Sequence, residues 1–151
     1  MKVDGSFALK APLQQTWDLL LQPGTLASCI PGAEKIESPQ ANTYNCLVKQ
    51  SVGPISVKLQ FVVNLTDIKA PTYVKAVGRG EALGKLGTFN LEMVCNLKET
   101  EPKACVVEYS CDVNIVGKLA TFGERIMRAK SKDVVEKFTA NLQKKLETIQ
   151  A

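Results

Sequence analysis

The fold of this chain is decided by the stretch LATFGERIMRAKSKDVVEKFTANLQKKLETI, residues 119–149. Its apolar residues recur mostly every three or four positions, which is the spacing of one face of an amphipathic helix. They are Leu119, Phe122, Ile126, Ala129, Val134, Phe138, Leu142, Leu146 and Ile149. An unbroken helix from Lys118 would be about 48 Å long. That is longer than any strand predicted below, so we expect the helix either to overhang the sheet or to bend, at Gly123 or within Lys130–Lys132.

The region from Ala33 to Val116 predicts strands, because apolar and polar residues alternate there with a period of two. From Ile55 to Leu65 every second residue is apolar, and turns at Gly53-Pro54 and Ala70-Pro71-Thr72 bound this run. One apolar and one polar face per strand is typical of an antiparallel sheet with one side in water.

Residues 2–10 alternate in the same way and predict a first strand, followed by two short helices over Leu13–Leu21 and Thr25–Cys29. A sheet must cover its apolar face, and the last helix is the only predicted element long enough to do so. We therefore predict an α+β helix-grip fold, with six or seven antiparallel strands curved around a long C-terminal helix. It forms one domain over residues 1–151, and the space between sheet and helix is an apolar cavity.

The residues predicted to line this cavity lie on the apolar faces of the strands, with three more on the helices. The alternative is a filled core without a ligand. The predicted ligand-binding residues are Leu59, Phe61, Phe89, Leu91, Met93, Tyr109, Cys111, Val113 and Ile115 from the strands, and Trp17, Phe122 and Ile126 from the helices. Met93 suits a lining because methionine adapts its shape, and Tyr109 because a buried hydroxyl needs a partner.

A glycine-rich segment, Gly78-Arg79-Gly80-Glu81-Ala82-Leu83-Gly84 followed by Gly87, has the spacing G-x-G-x-x-x-G. A nucleotide-binding loop of this type needs a helix N-terminus after the glycines, whereas this segment lies between two predicted strands. We therefore interpret it as a hairpin that borders the pocket mouth.

Composition argues against catalysis. The chain has no histidine, which excludes Ser-His and Cys-His nucleophile pairs and every metal site that contains histidine. The five cysteines are odd in number and form no C-x-x-C pair, so we predict reduced, buried thiols rather than disulfides or a zinc site. No acid/base pair is predicted, because the relevant carboxylates fall on outer faces or turns. They are Asp67, Glu81, Glu92, Glu108 and Asp112. No metal, cofactor or enzymatic activity is predicted.

The net charge of +4 comes from residues 117–151, which hold eight Lys or Arg against four Asp or Glu. Lys118, Arg125, Arg128 and Lys132 are spaced to share one face of the predicted helix. We interpret them as a contact for an acidic partner protein or an anionic head group, and the alternative is a solvated face. Nucleic acid is not expected, because basic and aromatic residues do not interleave.

No apolar run reaches the roughly 18–20 residues that a membrane-spanning helix needs, and the N-terminus lacks a signal-peptide core. We therefore expect a soluble, cytoplasmic chain that contacts a membrane at most peripherally.

Several short motifs resemble one family. They are MKVDGSF (residues 1–7), WDLL (17–20), CIPGAE (29–34), VGPI (52–55) and VGKLATFG (116–123). Together they resemble the CoxG family of carbon monoxide dehydrogenase subunits, a branch of the START-like (SRPBCC) superfamily. The resemblance implies a sheet that grips a C-terminal helix around a ligand cavity, and an accessory role beside molybdenum hydroxylases such as carbon monoxide dehydrogenase.

The hypothesis that follows is a noncatalytic module for a lipid-, isoprenoid- or quinone-like molecule. One alternative is a cyclase-type enzyme that uses Tyr109 or a carboxylate. The other is an assembly factor without a ligand that acts through the basic residues. Longer relatives continue into a hydrophobic membrane anchor, and no such segment is expected in the sequence up to Ala151.

Overall fold

A computed structural model describes residues 1–150, and Ala151, the end of the predicted domain, lies outside the described residues. Seven strands and three α-helices follow the predicted order. The strands are β1 (Lys2–Leu9), β2 (Ala33–Gln40), β3 (Thr43–Val52), β4 (Ile55–Lys69), β5 (Tyr73–Ala82), β6 (Gly87–Glu101) and β7 (Ala104–Val116). The helices are α1 (Leu13–Leu20), α2 (Pro23–Cys29) and α3 (Glu124–Gln150), and a 3-10 turn (Lys118–Phe122) precedes α3.

The seven strands form one sheet in the order β1-β7-β6-β5-β4-β3-β2, and all neighbours are antiparallel. The register aligns the apolar positions in rows across the sheet, so one face is apolar and the other is polar. One such row contains Cys46, Phe61, Gly80, Phe89 and Ile115. We call the apolar side, on which α3 packs, the inner face. The predicted helix-grip fold is confirmed.

Three buried clusters hold the fold together. The first contains Leu9, Trp17, Leu97, Leu142 and Leu146 among others, and it joins α1, the end of β6 and the C-terminal half of α3. The second joins β3, β4 and β5 to the 3-10 turn, and its buried members are Val52, Val57, Ala82 and Leu119. The third joins β2 and β3 to α2 through Ile36, Tyr44 and Cys46.

Helix α3 is anchored through its C-terminal half. Leu142 and Leu146 are fully buried, and the Asn141 side-chain amide donates a hydrogen bond to the Cys29 carbonyl oxygen at 2.9 Å. In the N-terminal half, by contrast, Ile126 is 38% exposed and Val134 is only half-buried. The helix is therefore tightly packed at one end and loosely covered at the other.

The predicted bend at Gly123 is confirmed, since this residue, with a φ of +88°, separates the 3-10 turn from α3. Helix α3 continues without interruption through Lys130–Lys132, the other bend point considered. The helix also begins later than the periodicity predicts. Lys118 therefore does not share a face of α3 with Arg125, Arg128 and Lys132, because it belongs to the 3-10 turn.

Candidate functional site

The middle of the inner face is apolar and uncovered. Phe89, Leu91, Cys111 and Val113 lie on the neighbouring strands β6 and β7, with Leu91 directly opposite Val113. All four are half-buried, and none belongs to the three clusters formed within residues 1–150. In a filled core such side chains would be fully buried and tightly packed. We call these four residues the central inner surface.

The position of α3 explains why this surface is open. The backbone of the helix comes near α2, β1 and β3, towards the two edges of the curved sheet, rather than near the strands in its middle. Towards the N-terminal end of α3, Ile126 is exposed and Val134 is half-buried, whereas Met127 packs against the second cluster. The half-buried state of Leu91, Cys111 and Val113 indicates that the helix covers the middle of the sheet incompletely.

The other predicted ligand-binding residues are distributed around this surface. Leu59, Ile115 and Phe122 pack against the second cluster, Phe61 against the third, and Met93 and Tyr109 against the first. Trp17 is only 5% exposed and belongs to the first cluster itself, so it does not border the open surface. Ligand binding by these residues stays a prediction.

Two glycines that the sequence assigned to a hairpin lie instead within β5, on the inner face. Gly80 stands between Phe61 of β4 and Phe89 of β6 in the register. The two rings meet edge to face across it, with their centroids 5.6 Å apart. A Cβ atom at position 80 would overlap the Gln60 carbonyl oxygen and the Phe61 Cβ atom. The G-x-G spacing could have predicted that both glycines leave room on one face of a strand, because residues two apart in a strand share a face.

Cysteine thiols contribute weakly polar groups to the inner face. Burial raises the pKa of Cys46, Cys95 and Cys111 to about 11. At Cys111 the carboxylates of Asp112 and Asp4 add to this increase in pKa, while the terminal amine opposes it. All five cysteines are free, and all but Cys111 are buried. The thiol that borders the open surface is therefore neutral at physiological pH.

One concavity lies mainly on the outer face of the sheet. It has a volume of about 1000 Å³, and its charged lining residues are Lys35, Glu37, Arg79 and Glu81. Their two positive and two negative charges cancel, and the rest of the lining is rich in Asn and Gln. This groove is not the predicted cavity. The inner face is the better candidate for an apolar ligand, because Phe89, Leu91, Cys111 and Val113 are only half-buried there and lie outside the packed clusters.

The predicted basic contact residues differ in their environment. Arg128 pairs with Glu124 at 2.7 Å and donates a hydrogen bond to the Lys2 carbonyl oxygen at 2.7 Å, so it ties α3 to β1. Lys118, Arg125 and Lys132 are exposed, and within residues 1–150 their side chains have no hydrogen-bond or ion-pair partner. Only these three are available to a partner.

Carboxylates are exposed at all five positions that the sequence assigned to the outer faces and turns. These are Asp67, Glu81, Glu92, Glu108 and Asp112. In the described part of the chain no three His, Cys, Asp or Glu residues are grouped so that they could hold a metal ion. Nor does any helix in that part combine the length and apolar character needed to cross a membrane.

Comparisons with known proteins agree with the fold and the motifs. A family model described as the CoxG subunit of carbon monoxide dehydrogenase matches residues 5–147. No curated protein matches the chain at a significant level. Among solved structures, a conserved protein from Geobacillus kaustophilus is similar with 25% identity and a TM-score of 0.90, over 98% of this chain and 96% of that one.

Two more distant structures are similar in fold. A START superfamily protein from Mycobacterium smegmatis is 9% identical over 98% of each chain, with a TM-score of 0.73. The Zhui aromatase/cyclase from Streptomyces sp. R1128 is 11% identical over 97% of this chain and 93% of that one, with a TM-score of 0.68. Since the family model spans nearly the whole chain and the fold is START-like, this protein belongs to the CoxG family of carbon monoxide dehydrogenase subunits.

Proposed function

We propose that this protein is a noncatalytic module that holds a lipid-, isoprenoid- or quinone-like molecule on the central inner surface. The observation that carries the proposal is the set of four apolar neighbours, Phe89, Leu91, Cys111 and Val113, left uncovered between three packed clusters. The surface from β4 to β7 is roughly 14 Å wide at the usual strand spacing. Each 100 Å² of apolar area removed from water there contributes about 2.5 kcal/mol before the costs of association.

The noncatalytic part of the proposal rests on the position of the ionisable groups. The carboxylates considered as acid/base candidates are exposed on the far side of the sheet or in turns, and the inner-face thiols have a raised pKa. The likeness to an aromatase/cyclase extends to the fold alone. The cytoplasmic location predicted from the sequence belongs to the same proposal.

A ring placed in the open space should weaken ligand binding. Val113→Phe is expected to weaken the binding of the fluorescent probe N-phenyl-1-naphthylamine by about tenfold or more, because its ring removes apolar contact area worth more than 1.4 kcal/mol. The measurement is a fluorescence titration of delipidated protein. The matched control is Val116→Phe on the same strand, where the side chain is 68% exposed and the affinity should not change.

Two results would contradict this proposal. One is the absence of saturable probe binding to the delipidated wild-type protein. The other is a melting temperature that falls steeply for Val113→Phe, since overpacking a filled core costs typically 1–3 kcal/mol whereas an open space accepts the ring.

We further propose that the partner is a redox enzyme of the molybdenum hydroxylase class, such as carbon monoxide dehydrogenase, in keeping with the family description. The unpaired cations Lys118, Arg125 and Lys132 would meet an acidic patch on that enzyme. Arg128 is excluded from this role because it is already paired with Glu124.

Charge reversal tests this contact. The double variant Arg125→Glu and Lys132→Glu is expected to weaken binding to the molybdenum hydroxylase of the same organism by about tenfold at low salt, and by less at high salt. Biolayer interferometry at two salt concentrations measures this. A control variant with the same charge change, Lys49→Glu and Lys103→Glu, reverses exposed lysines elsewhere and should bind normally. Equal effects of both double variants would contradict the assignment of the contact.

A further inference from the structure

Among the buried and half-buried hydroxyl and amide side chains on the inner face of β3–β7, one makes no hydrogen bond in the described part of the chain. Among the buried and half-buried positions of β3–β7, hydroxyl and amide groups on this face belong to Tyr44, Gln50 and Tyr109. The Tyr44 hydroxyl donates to the Leu21 carbonyl oxygen at 2.5 Å, and the Gln50 amide donates to the Pro31 carbonyl oxygen at 2.6 Å. Within residues 1–150 the Tyr109 hydroxyl has no hydrogen-bond partner. It is therefore available to a bound molecule.

Gly5 leaves room for the Tyr109 ring on the inner face of β1. Gly5 lies directly opposite Tyr109 in the register. A Cβ atom at Gly5 would overlap the hydroxyl oxygen and lie 2.8 Å from the Cζ atom of the tyrosine. The ring therefore lies flat across β1, where only glycine leaves room for it.

The neighbours of the ring fix where its hydroxyl lies. Tyr109 contacts Phe7 with ring centroids 6.2 Å apart, and Phe7 contacts Phe138 of α3 at 6.3 Å. Helix α3 touches β1 again where Arg128 reaches the Lys2 carbonyl oxygen. The Tyr109 hydroxyl over Gly5 thus lies between these two contacts of α3 with β1. Tyr109 borders the first cluster and is two positions from Cys111 in β7.

The electrostatic surroundings favour a neutral donor. Burial raises the pKa of Tyr109, and the charge of Asp4 and the neighbouring Cys111 raise it further. The phenol therefore keeps its proton and can donate it in a hydrogen bond. A carboxylate at this position would lose its hydration and meet the negative charge of Asp4, while the two nearby cations are already paired, Arg128 with Glu124 and the terminal amine with Asp112.

We infer that Tyr109 is the polar recognition group of the site, and that its ligand is an apolar molecule with a neutral carbonyl oxygen at one end. This inference rests on the proposed function. The carbonyl oxygen accepts the hydrogen bond from the Tyr109 hydroxyl, and the hydrocarbon part lies along Cys111 and Val113 towards Phe89. A ketone, ester or quinone fits this description, whereas a free fatty acid does not.

The test compares two competitors of similar length, 2-tridecanone and laurate, for displacement of N-phenyl-1-naphthylamine. The wild-type protein is expected to bind the ketone more tightly than laurate. Tyr109→Phe should weaken ketone binding by about 3- to 10-fold more than it weakens probe binding, because it removes one hydrogen bond that only the ketone accepts. Tyr44→Phe is the matched control. It removes a hydroxyl already bonded to the backbone and should not change the affinity for the ketone.

The outcomes separate the two proposals. If the probe binds but Tyr109→Phe leaves ketone affinity unchanged, or laurate binds as tightly as the ketone, the role of Tyr109 is refuted while the apolar site stands. If neither the probe nor the ketone binds the wild-type protein, the proposed function itself fails.

Discussion

Leu142→Ala is expected to lower the free energy of unfolding by about 2–5 kcal/mol, the usual cost of removing a fully buried leucine side chain. Leu142 is 0% exposed and lies in the first cluster, where it holds the C-terminal half of α3 against the sheet. For a domain of this size the loss corresponds to a fall in melting temperature on the order of 10 °C. Urea denaturation followed by circular dichroism measures the change.

Two substitutions in the same helix serve as controls. Val134→Ala removes a half-buried side chain near the open space and should cost less than about 1 kcal/mol. Lys144→Ala removes an exposed side chain and should change stability by less than about 0.5 kcal/mol. If Val134→Ala were as destabilising as Leu142→Ala, the N-terminal half of α3 would be packed like a filled core, and the open space over β6 and β7 would be ruled out.

Much of the fold follows from the sequence because the strands show a local pattern, the alternation of apolar and polar residues with a period of two. The predicted turns at Gly53-Pro54 and Ala70-Pro71-Thr72 lie at the two ends of β4, and the alternation from Ile55 to Leu65 correctly assigns the face of each side chain. The start of α3 was less predictable. Apolar spacing continues from Leu119 into the helix, so the periodicity alone cannot tell a 3-10 turn from the first helical turn.

The site was less accessible to sequence reasoning, because a pattern gives the face of a residue but not what covers that face. Trp17 and Leu91 are both apolar and inward, yet one is in a packed cluster and the other is on the open surface. The difference arises from the path of α3, which its buried C-terminal leucines fix at long range. The position of the Tyr109 ring over Gly5 likewise depends on the pairing of β1 with β7, which are more than 100 residues apart in the chain.

The thiol of Cys111 is expected to react with iodoacetamide about 100-fold more slowly at pH 8 than a thiol with the ordinary pKa of 9.0. Only the thiolate reacts, and a pKa of about 11 leaves about one molecule in a thousand in that form at pH 8. The rate should rise about tenfold per pH unit up to about pH 11. Mass spectrometry of the peptide that contains Cys111 measures the rate at this site, and the same reaction in guanidinium chloride gives the unfolded reference.

The raised pKa also has a consequence for stability. The folded state holds its thiol protons more tightly than the unfolded state does. The free energy of unfolding therefore has its full contribution from these protonated thiols below pH 9, and this contribution is lost as the pH rises through about 11. Labelling of native protein at the reference rate at pH 8 would contradict this account. It would also weaken the case for a quinone-like ligand, because a thiolate beside such a molecule would add to its ring. A neutral Cys111 thiol can border an electrophilic ligand without reacting with it.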